Sequence, residues 1–338
     1  MKKNEEKKEE KETKIEETNN KEKKHLKRHL KKSVKYAIIL VITLIVVSVL
    51  LVLGFKNQDK IYRYYQNNIL HVREGITINK NDYYKKQDYK YVQNTNDFVA
   101  KDKNHLKNIL YTIVNSGTAN FTFYCDENYK NCNKDIVEFV KDKDKLSSIN
   151  NFVHPYNSFE SLSAHYDKFG KVNVKVKRLY SEEEISETNK VVDEIIKKNI
   201  NDKMSDKKKI KTIHNYIIKN GKYATDNYRK KHKDKKFNKA LDILKDKYGL
   251  CSAYSDAMAI FLNKFGIDNY KITSESHIWN LVNIDKKWLH LDLTWDDPIT
   301  SNGKDKLEDM FLLIDNKKLK ELKVKKHDYN KEIFEEAK

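Results

Sequence analysis

Cysteine is scarce in this chain of 338 residues, which contains only Cys125, Cys132 and Cys251. Cys125 and Cys132 would pair in an oxidising compartment, although two free thiols in a short loop are an alternative. Their spacing matches no common zinc motif and no histidine lies nearby, which disfavours a metal site. Pairing would leave Cys251 as the odd thiol.

The sequence also lacks any motif that recognises nucleic acid, despite a formal net charge of +18. The first 35 residues contribute +6, and the other +12 is spread among many lysines and aspartates. No nucleic-acid partner is therefore expected. The positive charge would give a loose attraction to an anionic cell envelope, which salt would screen. The alternative is that the lysine-rich composition has no functional meaning.

The first 35 residues have no aromatic side chain and contain 14 Lys and Arg against 8 Glu. Because such a segment cannot bury enough apolar surface to offset its ordering entropy, we predict a disordered, charged tail over residues 1–35.

Residues 36–55 carry no charge and are long enough to cross a membrane as a helix. A cleaved signal peptide is the alternative, but its apolar region would be about 7 to 15 residues long and would end in small residues. Eight Lys and Arg lie in residues 21–35, whereas only Lys56, Lys60 and Arg63 follow closely. The positive-inside rule predicts a single-pass cell-membrane anchor with a cytoplasmic N-terminus and an extracellular C-terminal part.

No internal repeat is visible in the remaining chain, which we divide into three parts. Residues 56–96 are predicted to form a stalk with one strand at residues 89–93, and residues 97–180 a small α+β accessory region. Residues 181–338 form the third domain. Its first helix begins at a capping box of Ser181 and Glu184, its second begins at Ser205, and its third covers residues 240–247.

Cys251 follows a glycine turn in the segment Tyr248-Gly249-Leu250-Cys251. Apolar residues recur after it at helical spacing, and Gly266 fits the end of that helix. Cys251 is thus predicted at a helix N-terminus, where free N–H groups and the helix dipole favour a thiolate. A buried structural cysteine is the alternative.

Two strand-like runs, residues 277–284 and 287–293, are joined by a turn at Asp285 and Lys286. An even-numbered loop would put His277 and Asp292 on one face, opposite each other or diagonal, at about 5 to 8 Å between Cβ atoms. We predict that this face carries the chemistry and that the other face is core. Cys251, His277 and Asp292 together would supply a nucleophile, a proton carrier and an orienting carboxylate.

Other polar and aromatic residues near this pattern are assigned to structure. His214 and His290 are rival bases, but His214 lies on a distant helix and His290 lacks the Trp-Asn context that follows His277. Asp296, Asp297 and Pro298 are predicted to form a turn, and the three tryptophans are predicted to pack.

At Gly249-Leu250-Cys251, His277-Ile278-Trp279-Asn280 and Asp292-Leu293-Thr294-Trp295-Asp296-Asp297-Pro298, the chain resembles bacterial members of the transglutaminase-like superfamily. The resemblance covers residues 205–329. It implies an α+β fold with a papain-like core, in which the helix that bears the cysteine packs on an antiparallel sheet that bears His277 and Asp292. The third domain, residues 181–338, would then be transglutaminase-like.

Animal crosslinking members differ in having Gln before and Trp after the cysteine, where this chain has Leu250 and Ser252. The backbone N–H of Cys251 would be one oxyanion donor, and Tyr223 is a candidate for the second. The calcium sites of the animal enzymes have no counterpart, so neither a metal nor a cofactor is expected.

Three functions fit this pattern. The first is a membrane-anchored, extracytoplasmic thiol enzyme that cleaves or transfers an amide acyl group on peptides or envelope proteins. The second is a catalytically idle transglutaminase fold that binds envelope polymer or protein partners. The third is a structural membrane tether.

Overall fold

The computed structural model describes residues 2–68, 89–297 and 308–338. The chain forms two units, residues 1–76 and residues 77–338. The fold is mixed α+β, as the sequence predicted.

The first unit is helical, with α1 at Lys2–Lys56 and α2 at Gln58–Asn68. In the described residues, Thr18–Lys56 is the one stretch long and apolar enough to cross a membrane, and none of its apolar window is buried. The composition of residues 1–35 predicts disorder, whereas the structure has α1 already at Lys2. The high intrinsic helix propensity of Glu and Lys favours the helix even without a core to pack on.

The second unit contains nine further helices among its described residues, in chain order: α3 Lys103–Asn115, α4 Cys132–Lys141, α5 Lys143–Asn151, α6 Glu182–Asn199, α7 Asp206–Asn220, α8 Asp226–Lys231, α9 Ala240–Leu244, α10 Cys251–Lys264 and α11 Asn316–Glu321. Short 3₁₀ helices cover Pro155–Asn157 and Lys325–His327. The strands are β1 Val99–Ala100, β2 Asn120–Cys125, β3 Phe159–Tyr166, β4 Lys171–Arg178, β5 Lys222–Tyr223, β6 Tyr248–Gly249, β7 Asn269–Thr273, β8 Ile278–Ile284, β9 Lys287–Leu291 and β10 Leu312–Ile314.

These strands form three sheets. The first has the order β1-β2-β4-β3, and only its β1-β2 pair is parallel. The second is antiparallel with the order β10-β9-β8-β7. The third is the short parallel pair β5-β6.

The second sheet is buried on both faces. Trp279, Leu281 and Trp288 pack on the core that α3 shares with the first sheet. Val282 and Leu291 pack on a second core that is formed with α6, α7, α9 and α10. The prediction that only one face of the hairpin would be core was therefore wrong, because the accessory region covers the face that the sequence left for chemistry.

The local signals fixed several boundaries of the second unit. Ser181 and Glu184 form the predicted capping box at the start of α6, and the Ser205 side chain caps α7. Gly266 adopts φ +72° just after α10, where a side chain would be strained. Residues 89–93, in contrast, form no strand.

A disulfide joins Cys125 at the end of β2 to Cys132 at the start of α4. The pairing proposed from the cysteine count is thus present in the structure. Cys251 is the free cysteine.

Candidate active site

Cys251 is the first residue of α10, and its side chain is partly exposed. The pairing of β5 with β6 leads the chain into this helix through Gly249, which lies opposite Tyr223. A Cβ at Gly249 would lie only 2.8 Å from Cβ of Ala253 and 3.0 Å from Cβ of Ile243, so only glycine fits without a shift. The first turn of a helix leaves its N–H groups without partners inside the helix, and these groups favour an anion at Cys251.

Two polar side chains hold α10 against β8. The Ser255 hydroxyl lies 2.8 Å from the carbonyl oxygen of Cys251 and 3.0 Å from that of Ile278, so the two carbonyls share its one proton. The Asn280 amide donates to the carbonyl of Ser255 across 3.0 Å. The helix that carries the thiol and the strand that follows His277 are therefore fixed to each other by hydrogen bonds.

His277 and Asp292 meet at the open end of the β8-β9 hairpin. The turn has two residues, Asp285 and Lys286, both with positive φ, which is the hairpin geometry that the right-handed strand twist favours. Asn283 pairs with Trp288, and continuing this register puts Asp292 diagonal to His277. Nε2 of His277 donates to Oδ2 of Asp292 across 2.6 Å.

The electrostatics of His277 favour its charged form. Burial alone lowers the pKa of His277, but hydrogen bonds to Asp292 and then to Cys251 outweigh it and raise the pKa to about 9. Because Nε2 is bound to Asp292, Nδ1 is the nitrogen left for the thiol. The structure thus brings together the three side chains that the sequence singled out.

Asp292 is 2% exposed, and both of its oxygens are hydrogen-bonded. Its Oδ1 accepts from the backbone N–H groups of Thr294 and Trp295 at 2.9 and 3.3 Å. Burial raises the pKa of Asp292, but hydrogen bonds from His277 and His327 outweigh burial and lower the pKa to about 2. The carboxylate is therefore held in its ionised form.

Sequence reasoning missed His327. This residue ends the second 3₁₀ helix, and its Nε2 lies 2.7 Å from Oδ2 of Asp292, the oxygen that His277 also binds. The only sequence signal was a histidine 35 positions after Asp292, and no spacing rule connects the two.

His277, Asp292 and His327 also form a group whose ligand atoms lie within 4.8 Å of one another, which is close enough for a metal ion. Both Nε2 atoms, however, donate their protons to the carboxylate. A metal would need the nitrogen lone pairs that these protons occupy. The hydrogen bonds account for this cluster without a metal ion.

The rival histidines are bound elsewhere. Nε2 of His214 lies 3.0 Å from Oδ2 of Asp296, and both side chains are fully buried. His290 accepts the indole N–H of Trp279 at Nδ1, and burial lowers the pKa of His290 to about 4.

The tryptophans and the polar residues after Asp292 have structural contacts. Trp279 is buried and stacks on His277 with 5.5 Å between ring centroids. Asp296 accepts the backbone N–H of Phe311, and Asp297 accepts the hydroxyl proton of Tyr254. Pro298, the third residue of the predicted turn, lies outside the described residues.

Tyr223 lies near the thiol, in register with Gly249. Burial raises the pKa of Tyr223, and the charge of Cys251 raises it further. The phenol therefore keeps its proton beside Cys251, as a hydrogen-bond donor must.

Residues 193–293, which include Cys251, His277 and Asp292, match the family model of the transglutaminase-like superfamily. A comparison with curated proteins gave no match. Among solved structures, one described as a TGase is 15% identical, with 44% of this chain and 47% of that chain covered and a TM-score of 0.31. One described as a candidate cysteine protease from Cytophaga hutchinsonii is 12% identical, with 44% and 65% covered and a TM-score of 0.24.

The chain thus spans less than two thirds of the length of either structure. Residues 193–293 are thus similar to the transglutaminase-like superfamily, and the described residues form a mixed α+β fold. The resemblance inferred from the three sequence blocks is confirmed.

Proposed function

We propose that this protein is a membrane-anchored thiol enzyme that cleaves or transfers an amide acyl group on peptides or envelope proteins outside the cytoplasm. One observation carries the proposal. His277 is hydrogen-bonded to Asp292 and its pKa is raised by the nearby Cys251, which begins a helix. An idle binding fold has no need of this continuous arrangement of thiol, imidazole and carboxylate.

The chemistry would follow from these contacts. The Cys251 sulfur attacks the carbonyl carbon of an amide, and the charged oxygen that forms accepts hydrogen bonds from the Cys251 backbone N–H and the Tyr223 hydroxyl. His277 delivers its Nδ1 proton to the leaving amine as the C–N bond breaks, which leaves a thioester on Cys251. Water or a second amine then attacks the thioester and loses a proton to His277, and the C–S bond breaks to release Cys251 as the thiolate.

Anchoring and orientation rest on the first unit. Thr18–Lys56 contains the apolar segment, and eight Lys and Arg precede it in residues 21–35. The positive-inside rule then directs the second unit away from the cytoplasm. A disulfide between Cys125 and Cys132 agrees with an oxidising compartment. Epitope tags at each end can be tested for protease access in intact cells. A protected C-terminal tag would contradict this orientation.

Iodoacetamide labelling near neutral pH tests the activated thiol. We expect selective labelling of Cys251 that is lost in His277→Ala and retained in His165→Ala, a control at an exposed histidine of β3. Equal labelling in the wild type and His277→Ala would reject the proposal.

The reaction itself is tested by trapping thioesters on Cys251 with envelope extracts, with Cys251→Ser as the control. A fluorescent primary amine in the mixture distinguishes transfer from hydrolysis, because only transfer incorporates the amine. Envelope binding that survives alkylation, without any trapped thioester, would favour the idle binding fold.

A further inference from the structure

His327 shares one oxygen atom of Asp292 with His277. The two Nε2 atoms lie 2.7 and 2.6 Å from Oδ2. His327 is 3% exposed and packs between aromatic rings, almost parallel to Phe311 at 4.9 Å and edge-on to Trp279 at 4.8 Å between centroids. It also lies beyond residues 193–293, the part of the chain that matches the family model.

The hydrogen bonds define the tautomer of His327. Because an ionised carboxylate only accepts, Nε2 must carry the proton. Nδ1 of His327 is buried and has no hydrogen-bond partner among the residues that the structure describes. A proton on Nδ1 would therefore be a buried donor without an acceptor, which is unfavourable. Nε2 of His327 is thus the nitrogen that donates to Asp292.

We propose that His327 is a positioning residue that fixes the Asp292 carboxylate, ionised and aimed at His277, for the thiol chemistry of Cys251. This role rests on the proposed function. Thr294 and Trp295 hold Oδ1 from one side, and His327 supplies the second donor to Oδ2 from a separate segment. Without that donor His277 alone holds Oδ2, so the carboxylate and Nε2 of His277 are less firmly aligned.

The alternative is that His327 only fills space between the rings of Phe311 and Trp279. Two variants of the full chain distinguish these roles. His327→Phe keeps the ring but has no donor, whereas the amide nitrogen of His327→Gln can occupy the place of Nε2 and donate. A space-filling role predicts that Phe is the milder change, and a positioning role predicts that Gln is.

The measurement is the second-order rate of Cys251 labelling by iodoacetamide at neutral pH, with folding checked by thermal unfolding. We expect His327→Phe to lower the rate about 10-fold and His327→Gln to restore it to within about 3-fold of wild type. A rate for His327→Phe equal to wild type, or no recovery with Gln in a folded protein, would overturn the assignment.

A second measurement needs no variant to fold. In the full chain with ¹⁵N-labelled histidine, NMR should find a proton on Nε2 of His327, bound to Asp292. An Nε2 without a proton would overturn the proposal. If Cys251 were labelled equally fast in the wild type and in His277→Ala, the proposed function would fail. The NMR measurement would still report which nitrogen of His327 carries a proton.

Discussion

The imidazole of His277 donates from Nε2 to Oδ2 of Asp292 across 2.6 Å, although 15 positions separate the two residues. The two-residue turn at Asp285 and Lys286 makes this contact possible, because it returns β9 beside β8 with a register that puts Asp292 diagonal to His277. Cys251, at the start of α10, raises the pKa of the same imidazole.

Asp292→Asn should lower the rate of Cys251 labelling by about 10² to 10⁴. An amide can present its N–H to Nε2 of His277 and so favour the wrong tautomer, and it cannot stabilise the imidazolium. The rate is measured with iodoacetamide at neutral pH beside Asp285→Asn, a matched change at an exposed position of the same hairpin. Similar rates in both variants would mean that Asp292 has no part in activating the thiol.

Acyl transfer should fall as pH rises through about 9, the pKa of His277, because the imidazolium that protonates the leaving amine is lost. Alkylation of Cys251 should not fall in the same range, since it needs only the thiolate. Comparing the two pH profiles tests the assignment of His277 as the acid. Parallel loss of both activities would indicate unfolding or a different group.

The same groups predict how stability depends on pH. His277 has a pKa raised above its ordinary value of 6.5, so it stabilises the fold fully below that pH and loses the contribution as pH rises through about 9. Asp292 has a pKa lowered from 3.8, so its contribution is present above 3.8 and is lost as pH falls through about 2. Thermal unfolding of His277→Ala should lack the loss on the alkaline side that the wild type shows.

Tyr223→Phe should lower acyl transfer about 10²- to 10³-fold through the loss of one oxyanion donor, with little change in Cys251 labelling. Alkylation forms no oxyanion, so the two assays separate the roles. Tyr216→Phe, on the preceding helix α7, serves as the control. An unchanged acyl-transfer rate in Tyr223→Phe would remove Tyr223 from the site.

Gly249→Ala should destabilise the domain by about 1 to 3 kcal/mol and slow Cys251 labelling, because the added Cβ meets the Cβ atoms of Ala253 and Ile243. Neither of these atoms is the flexible end of a side chain. Gly54→Ala, where a Cβ meets nothing within 4 Å, should change little. Urea unfolding and labelling of both variants check this.

Removing the disulfide with Cys125→Ser and Cys132→Ser together should lower the free energy of unfolding by about 2 kcal/mol, as expected for the short loop that it closes. Thiol counting on the unreduced wild type should find one free thiol, Cys251. A count of three free thiols would show that Cys125 and Cys132 are not paired.

Several parts of the fold could be read from local signals. The capping box at Ser181, the thiol at the start of α10 and the two-residue turn each depend on residues close in sequence. The apolar stretch in α1 was equally plain, because length and lack of charge decide it. The three sequence blocks also sufficed to recognise the resemblance to the transglutaminase-like superfamily.

Other features required contacts between distant segments. The alternation of side chains in β8 does not show that the accessory region covers the second face of the hairpin. The residues that cover it, in α3 and the first sheet, lie more than a hundred positions earlier in the chain. Ser255 and Asn280 gave no sign that they would bind α10 to β8.

The sequence by itself determined an apolar helix near the N-terminus, a thiol at a helix start, and a histidine and a carboxylate on one hairpin, because each follows from spacing along a single element or turn. Only the tertiary structure decided that His327 would bind the oxygen that His277 uses. That contact depends on where the chain returns after α11, and the packing of His327 against Phe311 and Trp279 fixes it.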